Sequence, residues 1–259
     1  MTSISTFQKS FIYVQSAQGL ENVLRLTQAI CQVVGSLQDS PASAKPWGTA
    51  VQKIGLSRRF FRFFGYVPAL NRAVSVLTDR DESLSGVGFV LPLAEASRSG
   101  FMGLYLLLES LTILDAMDVY VSTSAKKLLT ESFKFWFYGL VSSFICIIWQ
   151  LAFYPSAVPK KAVVNEAVQE AMNEKLSDDG SKPEQPQKLT SRPIQSREML
   201  MSDLVAVSCD ILIPGSRLGW IPVNDFTVGS FSIVSSLVYG KRRWISVQRS
   251  AAANAVAHL

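Results

Sequence analysis

The sequence predicts an all-α, membrane-associated helical bundle, and three observations carry that fold class. Apolar residues recur at three- and four-residue steps over long stretches. No strand-period alternation is sustained anywhere in the 259 residues. One run of twenty residues without a formal charge, Phe135–Tyr154, is long enough to cross a bilayer. A basic amphipathic helix and one to two transmembrane helices complete the expectation.

In chain order, Phe7 to Leu37 reads as helix, with Phe11, Val14, Leu20, Leu24, Ile30 and Val34 on the apolar steps. A turn-rich patch follows from Asp39 to Trp47, and a second helical stretch runs from about Thr49 to Leu77. A Gly/Ser/Pro connector, Asp81 to Pro92, leads to an apolar third segment, Ala94 to Val121, interrupted by Glu109, Asp115 and Asp118. The fourth segment, Lys126 to Tyr154, is the most hydrophobic. Pro155 to Pro193 breaks the rhythm: Ala162–Leu176 suits one short amphipathic helix, and Ser177–Lys188 a solvated linker. The expected organisation is a cytosolic helical region over 1–125 with its basic membrane-binding helix at about 53–78, and a transmembrane helix with basic lead-in at 126–155. A flexible Pro-rich loop with one short helix at 156–197 and C-terminal membrane-associated helices with a basic tail at 198–259 complete it.

At 1.5 Å per residue the Phe135–Tyr154 helix is about 30 Å long, the thickness of a hydrocarbon core. Trp136, Tyr138, Trp149 and Tyr154 lie towards its ends as an aromatic belt would, with Lys134 before it and Lys160 and Lys161 behind. A second, weaker candidate is Phe226–Gly240, about 22 Å as a helix; extending it back to Leu218 admits Pro222, Asn224 and Asp225. Ser232, Ser236 and Gly240 recur every four residues there, a small-residue seam at which another helix can approach closely. Lys241, Arg242, Arg243 and Arg249 follow without an acid, so this end is expected to face the cytosol, and two spans would put both termini there.

Between Lys53 and Arg72 lie five basic residues and no acid. At 100° per residue, Leu56, Phe60, Phe63, Phe64, Val67, Leu70, Val74 and Leu77 share one arc, the expected membrane-insertion face. Arg58, Arg62 and Arg72 fall opposite, Arg59 marks the edge, and with Lys53 these are the expected contacts to anionic lipid. Eight half-buried apolar side chains supply roughly 8 kcal/mol before ordering costs. Each basic residue near an anionic leaflet adds at most about 1 kcal/mol. Salt should therefore weaken the attachment without abolishing it. Pro68 is expected to kink this helix. The alternative use of the phenylalanine face is packing against the first and third helices.

Other chemistries find little support. The single histidine, His258, lies at the C-terminal end, which argues against His-based catalysis or a His-ligated metal. No G-x-S-x-G, phosphate-binding glycine loop or metal-ligand cluster is present, so no catalytic residue, metal or cofactor is expected. Cys31, Cys146 and Cys209 are widely spaced and read as buried thiols. Lys9 and Glu21 bracket an apolar run of only four residues, unlike a secretory leader. Aromatics and basic residues occupy separate faces, so nucleic acid is not an expected partner.

Several segments together resemble the peroxin-eleven family of peroxisomal membrane-elongation proteins (peroxisomal biogenesis factor 11). Gly19-Leu-Glu-Asn-Val-Leu-Arg-Leu-Thr-Gln28 is similar to the family's G-x-(D/E)-K-V-L-R-L-x-Q stretch, with Asn22 where Lys is usual. Leu56-Ser-Arg-Arg-Phe-Phe-Arg-Phe-Phe-Gly65 resembles the entry to the family's amphipathic helix. Leu106 to Asp118 resembles its acid-interrupted third helix. Asp210-Ile-Leu-Ile-Pro-Gly-Ser-Arg-Leu-Gly-Trp-Ile-Pro222, then Val228-Gly229 and a serine-rich helix, resemble its C-terminal segment. Length and the Pro-rich insert are similar to those of fungal members. The resemblance implies a non-enzymatic peroxisomal membrane protein that inserts an amphipathic helix, bends and elongates the membrane, and so promotes proliferation and fission. It implies homo-oligomers and a dynamin-like fission GTPase with its adaptors as partners. For membrane insertion the resemblance carries over to Leu56–Leu77 only. The alternative is a pore or solute channel lined by Glu109, Asp115, Asp118 and Asp225. The final Ala257-His258-Leu259 is a loose match to the S-K-L peroxisomal address and is treated as neutral.

Overall fold

A computed structural model describes residues 6–78, 87–153 and 196–257, and within them every regular element is helical. The expected short helix Ala162–Leu176 and the linker Ser177–Lys188 lie outside the described residues, as do Tyr154, Lys160, Lys161 and His258.

The first helical stretch is two helices, α1 (Thr6–Gln15) and α2 (Ala17–Ser36), broken at Ser16. The Ser16 hydroxyl caps α2 by accepting the Gly19 N–H at 3.0 Å and donates to the Tyr13 carbonyl at 2.7 Å. Gly19 is required here: a Cβ would stand 1.9 Å from the Tyr13 carbonyl oxygen.

The second stretch departs from expectation twice. Helix α3 (Pro41–Phe61) starts inside the patch read as turn, because Ser40 caps it and Pro41 occupies a first-turn position where no N–H is needed. The helix then ends at Phe61 in a turn over Arg62–Gly65, and α4 (Tyr66–Thr78) begins anew. Pro68 thus lies in the first turn of α4, where its missing N–H has no helical partner to lose. The chain bends three residues before the proline, at Gly65, whose N–H closes on the Arg62 carbonyl at 2.8 Å.

Helix α5 (Val87–Leu111) takes in part of the expected connector, and the short α6 (Ile113–Ala116) follows it. Asp118, at φ 57°, ends the segment in the left-handed region. Helix α7 (Ala125–Phe153) is 29 residues long, about 44 Å. Helix α8 (Arg197–Arg217) is capped by Ser196 and closed by Gly219 at φ 72°. Helix α9 runs from Asp225 to Ala257, 33 residues, and Asn224 caps it by accepting the Thr227 N–H at 2.9 Å.

Among the described residues two helices are long and apolar enough to cross a membrane, α7 and α8. The second is therefore not the expected Phe226–Gly240. That stretch belongs to a longer helix whose serines and continuing basic residues dilute its hydropathy. The apolar run of α8, by contrast, carries only Asp203 and Asp210 between its ends. Most of the apolar window of each candidate is left unburied by the bundle, and Ile145, Ile148, Phe153, Met201 and Val205 face outward. The inner sides meet in the core, where Leu140 and Ile147 of α7 pack against Leu200 and Val207 of α8 with Trp136, Phe144 and Leu204 around them. The cysteines are buried free thiols.

The helices pack neighbour on neighbour: α3 on α2, α2 on α9, α9 on α8, α8 on α7, α7 on α5 and α5 on α4. The Arg62–Gly65 turn joins α4 back to α3, so the sequence of contacts returns to its start.

Candidate functional site

The turn between α3 and α4 sorts its side chains into an apolar outside and a basic inside. Phe60, Phe61, Phe64, Val67, Val74 and Leu77 are exposed, Phe64 to 67 %. Phe63 is half-buried and meets Phe64 edge-on at 4.8 Å, with its carbonyl accepting the Ser110 hydroxyl at 2.8 Å. Leu70 packs on α5 so closely that a Cβ on Gly103 would lie 2.6 Å from its Cδ2. Leu56 is half-buried. Of the eight residues expected on the insertion face, Phe60, Phe64, Val67, Val74 and Leu77 therefore face outward, joined by Phe61. Leu56, Phe63 and Leu70 are drawn towards the bundle because the helix stops at Phe61 and the arc does not continue across the turn.

The basic residues divide as well. Arg58 donates from Nη2 to Glu21 at 2.8 Å and from Nη1 to Gln28 at 2.7 Å. Arg62 donates to Glu109 at 3.2 Å and to the Tyr105 hydroxyl at 3.1 Å, and Arg59 approaches the same carboxylate at 3.6 Å. These three guanidiniums point into the bundle, and lipid contact by them requires their pairs to open. Lys53 is exposed, and Arg72 is largely exposed while donating to Glu95 at 2.7 Å. Burial pushes the Glu21 carboxyl up, but Arg58, with Arg62 and Arg25 behind it, outweighs that and holds the group below the ordinary range. Burial and the neighbouring Arg62 charge lower the proton affinity of Arg58 against the pull of Glu21. Burial also raises the Tyr105 phenol, so it stays a neutral donor to Glu109 at 3.0 Å.

Across the bundle, α9 lays its small residues on α2. Ser232 and Ser236 are buried, and a Cβ on Gly240 would lie 2.9 Å from Asn22 Nδ2. Asn22 itself donates to the Ser236 carbonyl at 3.2 Å. The approach extends to Ser235 and to Gly229, where a Cβ would come within 2.8 Å of Val33 Cγ2. Arg25 of α2 pairs with Asp210 of α8 and donates to the Ser235 hydroxyl at 2.8 Å, and Arg242 of α9 pairs with Asp203.

Between the helices lies a cavity of about 900 Å³, reached by residues of α2, α3, α5, α6, α7, α8 and α9. Of the four acids considered as a pore lining, Glu109 and Asp118 reach it. Asp115 instead accepts the Ser122 N–H at 3.0 Å, and Asp225 accepts from Gln32 at 3.2 Å on the surface.

The carboxylates that receive the arginines were not foreseen from the sequence. Their signal lies in the Gly19–Gln28 stretch, where five positions each have a structural task. Gly19 admits the Tyr13 carbonyl, Glu21 and Gln28 hold Arg58, Asn22 holds α9, and Arg25 holds α8. In the C-terminal segment, Asp210 answers Arg25, and the Gly215 carbonyl accepts the N–H groups of Trp220 and Ile221 at 2.9 and 3.1 Å.

A family model for Peroxisomal biogenesis factor 11 (PEX11) matches residues 7–244. No curated protein and no solved structure matches the chain. That family comprises peroxisome biogenesis factors and is not a known enzyme family. The match spans both the helices that could cross a membrane and the segments whose motif positions join the bundle. The chain belongs to the Peroxisomal biogenesis factor 11 family and is a peroxisomal, membrane-associated protein of peroxisome biogenesis.

Proposed function

We propose that the α3–α4 edge inserts into the cytosolic leaflet of the peroxisomal membrane and bends it, so that the protein elongates peroxisomes ahead of fission. The observation that carries this reading is the row of exposed apolar side chains from Phe60 to Leu77 on a protein of this membrane. Sinking those six side chains halfway is worth roughly 1 kcal/mol each, about 6 kcal/mol before ordering costs. A wedge confined to one leaflet expands that leaflet and favours positive curvature. Lys53 and Arg72 stand on the same elements to meet anionic headgroups, and Arg58, Arg59 and Arg62 join them if their carboxylates release them. Helices α7 and α8 cross as a pair, which returns the chain to the cytosolic side after Arg217. Homo-oligomers concentrate the wedges, and a dynamin-like fission GTPase with its adaptors acts on the elongated membrane; these partners belong to the proposal and rest on the resemblance to the family alone.

The test is the triple variant Phe60→Ala/Phe61→Ala/Phe64→Ala on anionic liposomes. It should remain membrane-bound through α7 and α8 and lose tubulation. Tubulation equal to wild type would place the wedge elsewhere. A second reading, a solute pore, has the central cavity with Glu109 and Asp118 in its favour. Conductance across planar bilayers that drops in Glu109→Gln supports it, and silence from the tubulating protein removes it.

A further inference from the structure

Helix α8 is apolar enough to enter a bilayer, yet its two acids are tied to helices that belong in water. Asp203 and Asp210 are the only formal charges between its ends, and at this spacing they share one face. Both are buried, Asp203 against Arg242 of α9 and Asp210 against Arg25 of α2, which also donates to the Ser235 hydroxyl at 2.8 Å. Helix α9 thus retraces α8, with Arg242 level with Asp203 and Ser235 level with Asp210. Helix α2 follows α9, from Asn22 at the Ser236 carbonyl to Gln32 at Asp225, each at 3.2 Å. Helix α3 in turn follows α2, from Arg58 at Glu21, 2.8 Å, through the Val51 carbonyl at Gln28, 3.0 Å, to Trp47 against Gly35. The four helices therefore stand at one height. The outer side of α3 exposes Lys45, Thr49, Gln52 and Lys53, a face that water solvates and hydrocarbon does not. With α3 on α2, and α2 on α8, the bundle cannot send α8 across a membrane and keep Arg25 on Asp210.

We propose that Asp203 and Asp210 clasp α8 to α9 and α2 in a closed form of the protein, and that α8 crosses the membrane only after Arg242 and Arg25 let go. This rests on the reading that α7 and α8 cross as a pair. The closed form keeps both carboxylates partnered, whereas an unpaired carboxylate buried on an apolar helix is costly. The outward side of α8, with Met201 and Val205, is exposed while the clasp is shut and makes the first contact with lipid; the clasped side follows. Arg25 ties α8 to α2, and Arg242 ties α8 to α9, so both pairs must open for α8 to leave its neighbours.

The experiment places nitroxide labels at Val205→Cys of α8 and Ile30→Cys of α2, both exposed positions, in the full-length protein in phosphatidylcholine liposomes. The native cysteines are buried thiols. Pulsed electron paramagnetic resonance reads the α2–α8 distance, and quenching by oxygen against an aqueous nickel chelate reads whether Val205 lies in hydrocarbon. Two distances are expected, with hydrocarbon around Val205 in the longer one. Arg25→Gln/Arg242→Gln should raise the ratio of long to short by at least about twofold, as coupling between paired residues predicts. Asp203→Asn/Asp210→Asn should raise it too, and in that background the arginine changes should add nothing. An arginine effect that persists without the aspartates is a folding defect and counts against the clasp. One short distance in every variant, with Val205 in hydrocarbon, means that α8 crosses with α2 still attached, which overturns the clasp and leaves the crossing intact. Val205 open to the nickel chelate in every variant overturns the crossing and the clasp with it.

Discussion

Gly229 offers a direct measure of how closely α9 lies on α2. A Cβ there would stand 2.8 Å from Val33 Cγ2, 3.2 Å from the Val33 nitrogen and 3.3 Å from the Ala29 carbonyl oxygen. Two of these neighbours are backbone atoms of a helix, which move only if the whole helix moves. Gly229→Ala should therefore incur an overpacking cost of about 1–3 kcal/mol, against a gain in helix propensity of about 1 kcal/mol. Gly48 supplies the reference, because it lies exposed within α3 and a Cβ there meets nothing within 4 Å. Gly48→Ala collects the propensity gain alone and should stabilise by roughly 0.5–1 kcal/mol. The two variants should move the thermal midpoint in micelles in opposite directions, by about 2–4 °C per kcal/mol for a chain of this size. Adding Val33→Ala should recover part of the Gly229→Ala loss, with a coupling above about 0.5 kcal/mol. Equal shifts in Gly229→Ala and Gly48→Ala, or strict additivity with Val33→Ala, would refute the close approach.

Glu21 has a folded-state pKa held below its unfolded value, so its stabilisation is full above that unfolded value, about 4.3, and fades as pH falls towards the folded one. Wild type should thus lose stability on acidification below about pH 4.3 more steeply than Glu21→Gln, followed by circular dichroism; parallel curves would contradict the pairing. Arg25→Gln and Asp210→Asn should each destabilise and together cost less than their sum, since removing one partner leaves the other uncompensated. A thermal double-mutant cycle reads the coupling, and additivity would mean the pair carries none. Pro68→Ala should change stability by no more than about 1 kcal/mol, because the proline sits in the first turn of α4; a large gain would show that it strains the helix.

How much of this was legible in the sequence depends on the kind of signal. Periodicity exposed the helices and the uncharged Phe135–Tyr154 run exposed α7, since both are properties of one segment. The start of α3 was hidden because Pro41 and Pro46 read as turn, although Ser40 and Pro41 together form a helix start. The break at Arg62–Gly65 was hidden because an unbroken helix rotates its apolar arc smoothly through the phenylalanines, and nothing local marks the stop except Gly65. The inward course of Arg58, Arg59 and Arg62 depends on Glu21 and Glu109, tens of residues distant, and pairing at that range leaves no periodic trace. The small-residue seam was legible on α9 alone; its opposite half, Ala29 and Val33 of α2, looks like any apolar helix face.

The pairing of α2 with the C-terminal helices has a temporal side. Asn22 meets the Ser236 carbonyl across 214 residues of chain, and Arg25 meets Asp210 across 185. At translation speeds of about 5–20 residues per second, α2 waits on the order of ten seconds or more before its partners exist. Through that interval Asn22 has only the Tyr13 hydroxyl to meet, at 3.3 Å, and the α8 and α9 partners of Arg25 and Ala29 do not yet exist. The closure of α2 on α8 and α9 therefore comes last, from contacts of high sequence separation that form slowly, whereas α3 can meet α2 and α5 can meet α4 as soon as they emerge. Truncation before Ser232 would leave the α9-facing side of α2 uncovered while the packing of α4 on α5 and α5 on α7 is already in place.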